Sequence, residues 1–409
     1  MAAIVGAFRL ARRNVARQRA RSAMALAAIA LGVAAIIVAG GFIHDVYIQF
    51  AESIIHSQYG HVQVHRRGYS LHGTQRPMDY LVERPAELTA SVARLTQGNI
   101  VLSRLRFVGL ANAGGSDVPI VGEGVDPALE NRLGTFVQRV AGRSLTNADR
   151  YALEVGDGVA KALRVAPGQP VTLGIVTPDG ALNSLEFEVV GVFRTYSKDF
   201  DQRAVRLPLA TAQELFATGG ANEIVVVLGA TAATDATAGK LRAALPSAEY
   251  EVRTWRELAD FYGKTVQLFD RQFGFLQVVL FLLIVLSVSN TINAAAFERL
   301  PEFGTMLALG NSRGDVRRLI LLECAILGVV GSVIGILLGT LLALALSAIG
   351  IPMPPPPNTD LGYTAQIRLV PQVLLGAFAV GAVSAIVAGV VPSWKIAAME
   401  PVDALRRAV

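Results

Sequence analysis

Residues 275–297 read FLQVVLFLLIVLSVSNTINAAAF, and a charged segment, ERLPEFGTMLALGNSRGDVRR, follows directly at 298–318. An α-helix needs roughly 20 apolar residues to cross about 30 Å of hydrocarbon, and the first stretch meets that length. Similar apolar runs predict one span before it and two after it, at 22–43, 319–350 and 372–394. The sequence therefore predicts an α-helical membrane protein with four transmembrane helices in a 1+3 arrangement.

The long interval between the first two spans, residues 44–274, predicts a large mixed α/β domain outside the membrane. Short alternating segments interspersed with helical ones indicate a β/α subdomain at about 60–125 and 209–254, with a mostly β insert at about 126–208. The flanking segments 44–56 and 255–273 keep helical spacing, and we expect them to extend spans one and two as a paired stalk.

The arginines predict the orientation. They concentrate in the leader at 1–21 and in the 298–318 loop, and basic residues recur in the tail at 395–409. The positive-inside rule places such segments in the cytoplasm, so the large domain and the short 351–371 loop are expected to face outward, on the opposite side of the membrane. Much of the net charge of +5 lies in the leader, which favours contact with anionic lipid over nucleic acid.

Catalytic and metal-binding patterns are weak in this sequence. His61 and His65 are expected on the solvent-facing side of a strand with Gln63, and no cysteine or nearby carboxylate completes a set of metal ligands. The tripeptide at 263–265 imitates a phosphate-binding loop but lacks its upstream glycine. We therefore expect no catalytic residues, no metal, no cofactor and no ATP site in this chain.

The 298–318 segment carries the most informative constellation. Pro301 can open a short helix, and Gly310 can close it through a left-handed residue. Met306 and Leu309 would then form an apolar face opposite the charged residues. Such a helix suits docking into a groove of a cytoplasmic partner, although arginines that only anchor helix ends would fit the charge pattern equally well.

Span three contains two further features. Glu323, an acid near its start, is expensive in hydrocarbon, so it should face Arg317 or Arg318 or extend to the interface. Glycines at 328, 331, 335 and 339 place small residues on one stripe of the helix, which suits close packing. Packing within one subunit is the simpler interpretation of that stripe, and a dimer seam is the alternative.

Taken together, these residues resemble a known family. The pattern Glu298-Arg299-x-x-Glu302-Phe303-Gly304, followed by Ala308-Leu309-Gly310 and Glu323, resembles the FtsX-like permease signature of ABC transporters. The closing Pro392-x-x-Lys395-x-Ala-Ala398-x-x-Pro401-x-x-Ala404-Leu405-Arg406 is similar to the end of that family. Within the FtsX-like and MacB-type permeases, the Gly60–Gly68 segment most resembles the lipoprotein-releasing LolC/LolE subunits.

The resemblance implies a non-catalytic permease in a bacterial inner membrane, with both termini cytoplasmic. Its implied partners are a dimer of cytoplasmic ABC ATPase subunits, which binds the ATP, and a second permease copy or paralogue. ATPase movement would reach the periplasmic domain and extract lipoprotein or lipid-like cargo, with a periplasmic carrier or adaptor as a further partner. The residues implied to couple to the ATPase are Glu298, Arg299, Glu302, Phe303, Gly304, Ala308, Gly310 and Arg313, with Glu323 as the intramembrane polar residue.

Two alternatives remain open at this stage. The protein could instead regulate an envelope enzyme such as a cell-wall hydrolase, or it could be the permease of a tripartite efflux system.

Overall fold

A computed structural model describes residues 2–17, 19–73, 75–353 and 362–399. Its contacts divide the chain into a membrane unit, residues 1–47, 265–353 and 364–409, and an extramembrane unit, residues 48–264 and 354–363. Part of the predicted 351–371 loop, residues 354–361, lies outside the described residues. So does the tail from 400 onward, with the Pro401–Arg406 part of the closing motif.

Two helices begin the chain. The predicted leader contains α1, Ala2–Arg17, and the first predicted span lies inside α2, Arg19–Ile54. A π-helical turn, Ile55–Tyr59, follows α2 directly. The helical segment predicted after the first span is therefore continuous with that span as far as Ile54.

The extramembrane unit is built on one mixed sheet. Among its described residues, ten strands and eight helices follow one another along the chain, with 3₁₀ turns at Pro77–Tyr80 and Thr231–Ala233. They are β1 (Val62–Arg66), α3 (Tyr69–His72), α4 (Pro85–Leu95), β2 (Ile100–Asn112), β3 (Asp117–Val125), α5 (Pro127–Leu133), β4 (Gln138–Gly142), β5 (Ala152–Gly156), α6 (Asp157–Leu163), β6 (Pro170–Val176), β7 (Leu182–Arg194), α7 (Lys198–Asp201), β8 (Ala204–Pro208), α8 (Leu209–Leu215), β9 (Glu223–Val227), α9 (Thr234–Ala244), β10 (Tyr250–Thr254) and α10 (Trp255–Leu258).

The strand order is β10-β1-β9-β2-β3-β8-β5-β7-β4, and β6 pairs with both β2 and β7. The β3–β8 and β5–β7 pairs are parallel, and the other pairs are antiparallel. The sheet therefore crosses the predicted border between the β/α subdomain and the insert, because β3 of the first pairs with β8 of the second.

The apolar cores place that border inside β2. Val101, near the start of β2, belongs to one core, whereas Leu105 and Phe107 further along belong to another. Helix α8, predicted to belong to the first subdomain, contributes Ala212 and Leu215 to the second core. The structure thus differs from the predicted division because one long strand contributes to both cores.

The predicted solvent exposure of the β1 histidines is wrong. His61, Gln63 and His65 are all buried, at 1%, 2% and 0% exposure. The reason is that β1 is an interior strand between β10 and β9, and the His65 ring stacks on Tyr69 with centroids 4.3 Å apart. Among the described residues, no group of three or more His, Cys, Asp or Glu side chains is placed to hold a metal ion.

The burial of His61 predicts acid sensitivity. Its Nδ1 accepts from the backbone N–H of Leu228 at 3.1 Å, and its Nε2 lies 3.1 Å from the Thr231 hydroxyl, so the neutral ring suits both contacts. Burial lowers the pKa of His61 from 6.5 to about 4. The unfolded chain then binds this proton at a higher pH than the folded chain, so stability is complete above about pH 6.5 and is lost as the pH falls towards 4.

We expect acidification from pH 7.5 to 4.5 to destabilise the extramembrane unit by on the order of 2 kcal/mol through His61. Thermal unfolding of the full chain at both pH values, beside a His61→Gln variant, measures this contribution. Asp201 titrates in the opposite sense, since burial raises its pKa to about 6, so the comparison of variants isolates the histidine. An equal pH dependence in wild type and variant would contradict the assignment.

The rest of the membrane unit follows the large domain. Its described elements are α11 (Asp260–Glu298), α12 (Leu300–Ala308), α13 (Arg313–Ile349), β11 (Ile351–Met353), β12 (Tyr363–Ala365) and α14 (Pro371–Ala397). Of the helices that the structure describes, α2 with its π-helical turn, α11, α13 and α14 are long and apolar enough to cross a membrane. Each of the four predicted spans falls within the corresponding helix, apart from Gly350.

The predicted stalk is interrupted on one side. Helix α10 ends at Leu258, and α11 begins at Asp260, so the segment predicted as one helix is broken at Ala259. Pairing of the two stalk segments is present, because the Tyr47 hydroxyl donates to Asp270 at 2.7 Å in the membrane unit. In the extramembrane unit, the rings of Phe50 and Tyr262 lie 5.3 Å apart.

The glycine stripe of α13 packs inside this chain. A Cβ added to Gly335 would lie 2.7 Å from the Cβ of Val33, and one added to Gly331 would lie 2.9 Å from the Cβ of Ile29. Gly328 faces α14 in the same way, with Ala385 as its neighbour. The interpretation of the stripe as packing within one subunit is confirmed.

Replacing Gly335 with leucine is therefore expected to separate α2 from α13 and to cost about 1–3 kcal/mol of stability through overpacking. Gly376→Leu in α14 is the matched control, since a Cβ there meets nothing within 4 Å. Thermal unfolding of both variants in detergent checks the prediction, and equal midpoints would contradict it.

Candidate functional site

The segment between the second and third spans folds as the sequence predicts locally. Helix α12 has Pro301 in its first turn, and Gly310 follows its end with a φ of +93°, the left-handed conformation that glycine tolerates. Ser312 then caps α13, and Asp315 completes a capping box with it. Both ends of this segment are thus fixed by local chemistry.

Helix α12 has a buried face and an exposed tip. Phe303 is 2% exposed and packs into the apolar core of the membrane unit, and Gly304 is buried beside it. Leu309, just past the helix end, is 81% exposed. Met306 is half-buried against that core, so the predicted apolar face of Met306 and Leu309 is divided between the interior and the surface.

Glu323, near the start of α13, pairs with Arg299. The Nη1 atom of Arg299 donates to both carboxylate oxygens of Glu323, at 3.1 and 2.9 Å, and Nε donates to Glu302 at 2.9 Å. The side chains of Arg299 and Glu323 are only 10% and 14% exposed. The predicted partners of Glu323, Arg317 or Arg318, were therefore wrong. The break between α11 and α12 at Arg299 brings that residue to α13. The guanidinium of Arg317 lies instead over the Trp394 ring.

Helix α1 completes this group. Asn14 donates to Glu323 at 2.7 Å, and Arg17 donates to Glu302 at 3.1 Å. We call Asn14, Arg17, Arg299, Glu302 and Glu323 the loop cluster. It joins α1, α12 and α13 through charged hydrogen bonds.

From the sequence, the leader was predicted to set the orientation and to contact anionic lipid, and its part in the loop cluster was missed. The sign of this role in the sequence was Asn14, the one asparagine among the arginines of the leader. Arg21 also pairs with Glu298, so another predicted coupling residue contacts the first helices. Of the remaining predicted coupling residues, Ala308, Gly310 and Arg313 lie exposed near the tip of the segment.

The cavity beside the loop cluster is small. Its volume is about 40 Å³, and it is lined by residues that include Asn14, Arg299, Glu323 and Cys324. Small-molecule sites usually measure about 300–1,000 Å³, so this space suits water and not a nucleotide. The loop cluster is therefore a joint between helices.

A second polar joint ties α2 to the strand-like segment before α14. Asp45, fully buried near the far end of α2, accepts from Arg368 Nε at 2.7 Å and from the backbone N–H of Gln366 at 3.0 Å. The Ser347 hydroxyl of α13 accepts from the Ile367 N–H at 2.8 Å. We call Asp45, Ser347 and Arg368 the strap joint; the sequence reasoning missed it, although Asp45 and Arg368 both flank predicted spans.

The loop cluster links α1, α12 and α13, and the strap joint links α2 and α13 to the segment at 366–368. The exposed tip of α12 can receive a contact from outside the chain, and the loop cluster connects it to α1 and α13. All of these bonds except that from Ile367 to Ser347 have a carboxylate acceptor, and such charge-assisted bonds are stronger than neutral hydrogen bonds.

Known protein families match two long segments of this chain. The MacB-like periplasmic core domain family matches residues 22–244, and the FtsX-like permease C-terminal family matches residues 274–401. An uncharacterized ABC transporter permease of Methanocaldococcus jannaschii is 26% identical over 65% of this chain and 64% of its own length. The macrolide export ATP-binding/permease protein MacB of Nitrobacter winogradskyi is 26% identical over 62% of this chain and 39% of its own.

Among solved structures, the extracellular domain of the noncanonic ABC-type transporter YknZ from Gram-positive bacteria matches 47% of this chain and 99% of that domain. Its identity is 14% and its TM-score is 0.34. The chain spans about two fifths to two thirds of the length of the curated relatives described above. The two family matches together cover both units, and the chain belongs to the family of ABC transporter permeases of the MacB/FtsX type.

Proposed function

We propose that this permease conveys the movement of a separate ATPase to its extramembrane unit, which acts on cargo at the membrane surface. The exposed tip of α12 joined to the loop cluster is the observation that supports this proposal. The tip offers a contact surface, which the cluster joins to α13 through the largely buried Arg299–Glu323 pair and to α1 through Asn14 and the exposed Arg17–Glu302 pair.

The arrangement of this machine is part of the proposal. A dimer of ABC ATPase subunits binds ATP and contacts α12 from the cytoplasm of a bacterial cell, and both permease termini face that side. A second permease copy or paralogue completes the complex in the inner membrane. The arginine-rich leader and 298–318 loop support this orientation through the positive-inside rule.

For the cargo, we propose lipoprotein or another lipid-like amphiphile, extracted from the membrane and passed to a periplasmic carrier or adaptor. A second candidate is export of small amphipathic molecules. It is favoured by the relatives, which include the macrolide exporter and a pyoverdine export ATP-binding/permease protein of Pseudomonas aeruginosa, 28% identical over 55% of this chain and 33% of its own length.

Mass spectrometry of molecules bound to the purified complex distinguishes the two candidates. Acylated protein or lipid enriched over a detergent-only control supports extraction, and a small secreted metabolite without acylated cargo supports export. Recovery of an envelope hydrolase without either would overturn both.

Leu309→Asp is expected to reduce co-purification of the ATPase subunit at least tenfold, because a charge replaces an exposed apolar contact at the tip. Leu71→Asp is the matched control, since Leu71 is a leucine of similar exposure, 78%, in the extramembrane unit. Tagged permease is purified from cells that express the ATPase, and ATPase recovery is measured per permease. Equal recovery in both variants would sink the assignment of α12 as the coupling helix.

A further inference from the structure

The first long helix ends inside the extramembrane unit in an unusual way. Helix α2 passes at Ile54 into the π-helical turn Ile55–Tyr59, and Gly60 closes that turn with a φ of +64°. Any side chain at Gly60 would collide with Val225, whose Cγ1 would lie 2.4 Å from the added Cβ. The next residue but one, Val62, begins β1, so the helix end abuts the sheet.

The carbonyl groups of this last turn are capped by side chains of three strands. Arg206 of β8 donates from Nη2 to the Ser57 carbonyl at 2.9 Å, and Arg104 of β2 donates from Nη1 to the Gln58 carbonyl. Gln63 of β1 donates to the Tyr59 carbonyl at 2.9 Å. The C-terminal end of a helix leaves carbonyls without intrahelical partners and carries partial negative charge. The two arginines stabilise this end both by donating hydrogen bonds and by their positive charge.

Both arginines also donate hydrogen bonds to buried carboxylates. Arg104 makes two bonds to Glu130, at 3.0 and 2.6 Å, and Arg206 donates from Nε to Glu123 at 3.0 Å. Arg104 and Arg206 are 0% and 3% exposed. Because both arginines are buried, water does not compete for their hydrogen bonds, and these charged bonds are stronger than they would be at the surface.

The other long helix enters the same unit differently. Helix α11 begins at Asp260 after the break at Ala259, whose ψ of 66° is outside the helical range. The preceding α10 is stabilised by local capping between Thr254 and Glu257. The connection of α11 to the sheet therefore contains a joint in the backbone, whereas the end of α2 is bonded directly to three strands.

We propose that Arg104 and Arg206 anchor the end of α2 to the sheet, so that movement of the first span enters the extramembrane unit through these two residues. This inference rests on the proposed function of conveying ATPase movement. Arg104 and Arg206 are positioning residues in that process, and α11 accommodates the movement at its break.

The anchor can be removed without leaving a buried charge alone. Replacing a buried ion pair with apolar residues of similar size is often close to neutral for folding, whereas removing one partner is not. The variants are therefore pairs, Arg206→Met with Glu123→Leu, and Arg104→Met with Glu130→Leu. The control pair is Arg256→Met with Asp235→Leu, an ion pair of the same unit whose side chains are 53% and 73% exposed.

Hydrogen exchange of the full chain in lipid nanodiscs tests the anchor by itself. In the two anchor pairs, the amides of residues 55–60 are expected to exchange at least tenfold faster, with the thermal midpoint of the unit little changed. The control pair is expected to leave these amides as in wild type. Wild-type exchange at 55–60 in both anchor pairs would overturn the inference.

Spin labels test the transmission in the complex with the co-purifying ATPase. Cysteines at Asp179, exposed in the extramembrane unit, and at Ile349, 81% exposed at the end of α13, report the distance change on adding ATP, while the native Cys324 is buried. The anchor pairs are expected to reduce the ATP-dependent shift at least fivefold, with ATP hydrolysis within twofold of wild type.

The outcomes separate the two proposals. A wild-type shift that persists unchanged in both anchor pairs overturns the anchor and leaves the proposed function standing. No ATP-dependent shift in the wild-type complex overturns the proposed function, and this inference with it. A shift lost in the anchor pairs but kept in the control pair supports both.

Discussion

Arg299→Ala is expected to destabilise the membrane unit by about 3–5 kcal/mol, one of the two largest single-residue effects in this protein. The substitution leaves Glu323 largely buried without its cation, and breaking a buried pair costs this much because an uncompensated charge remains. It also removes the bond from Arg299 to Glu302 and the contact of the guanidinium with the Phe303 ring, 5.0 Å from its centroid. Unfolding of the purified chain in mixed micelles measures the loss.

Two comparisons separate charge burial from general damage. The pair Arg299→Met with Glu323→Leu removes both charges together, and we expect it to recover most of the stability. Arg84→Ala removes an arginine that is 77% exposed and paired with Glu87, and surface pairs contribute about 0–1 kcal/mol. If the single and paired variants of Arg299 lose equal stability, the buried charge is not the cause.

The same substitutions also test the proposed function. The paired variant keeps the helices packed but removes the charged joint between α12 and α13. We expect it to bind the ATPase through the intact tip at Leu309, yet to show a reduced ATP-dependent movement of the extramembrane unit. The single variant, Arg299→Ala, therefore measures stability, and the paired variant measures coupling.

Local sequence patterns predicted local structure well. Pro301 lies in the first turn of α12, and Gly310 closes that helix, as the sequence of this segment implied. The four apolar runs were also sufficient to predict four long helices, since a hydrocarbon layer requires a minimum helix length. Each of these features depends on residues close together in sequence.

Pairings between distant residues could not be predicted in this way. Sequence neighbours suggested Arg317 or Arg318 for Glu323, but the partner is Arg299, 24 positions away across a helix break. The place of β8 in the middle of the sheet has no local signal either, because its five residues, Ala204–Pro208, are all buried and show no alternation. The burial of His61 and His65 likewise follows from where β1 lies in the sheet, which the sequence of β1 alone does not contain.

The strap joint depends even more strongly on distant residues, since Asp45 and Arg368 are 323 positions apart. Its carboxylate has 0% exposure and satisfies two donors, one a guanidinium and one the Gln366 amide. The backbones of α2 and of the 366–368 segment also lie close together here, because a Cβ added to Gly41 would lie 2.4 Å from the Arg368 carbonyl oxygen. Asp45 thus bonds the 366–368 segment directly to α2, beside the bond from the Arg368 N–H to the Gly41 carbonyl at 3.3 Å.

Asp45→Leu is accordingly expected to release the 366–368 segment and to cost about 3 kcal/mol. The substitution removes two hydrogen bonds to a buried carboxylate, one from the Gln366 N–H and one from Arg368, and bonds to charged groups contribute about 1.5–3 kcal/mol. Asp45→Asn keeps an acceptor for the amide while losing the charge, so its effect should be about half as large. Hydrogen exchange at Gln366 and Ile367, expected to accelerate at least tenfold in the leucine variant, measures the release directly. Unchanged exchange there would mean that the bond from Ile367 to Ser347 holds the segment without Asp45.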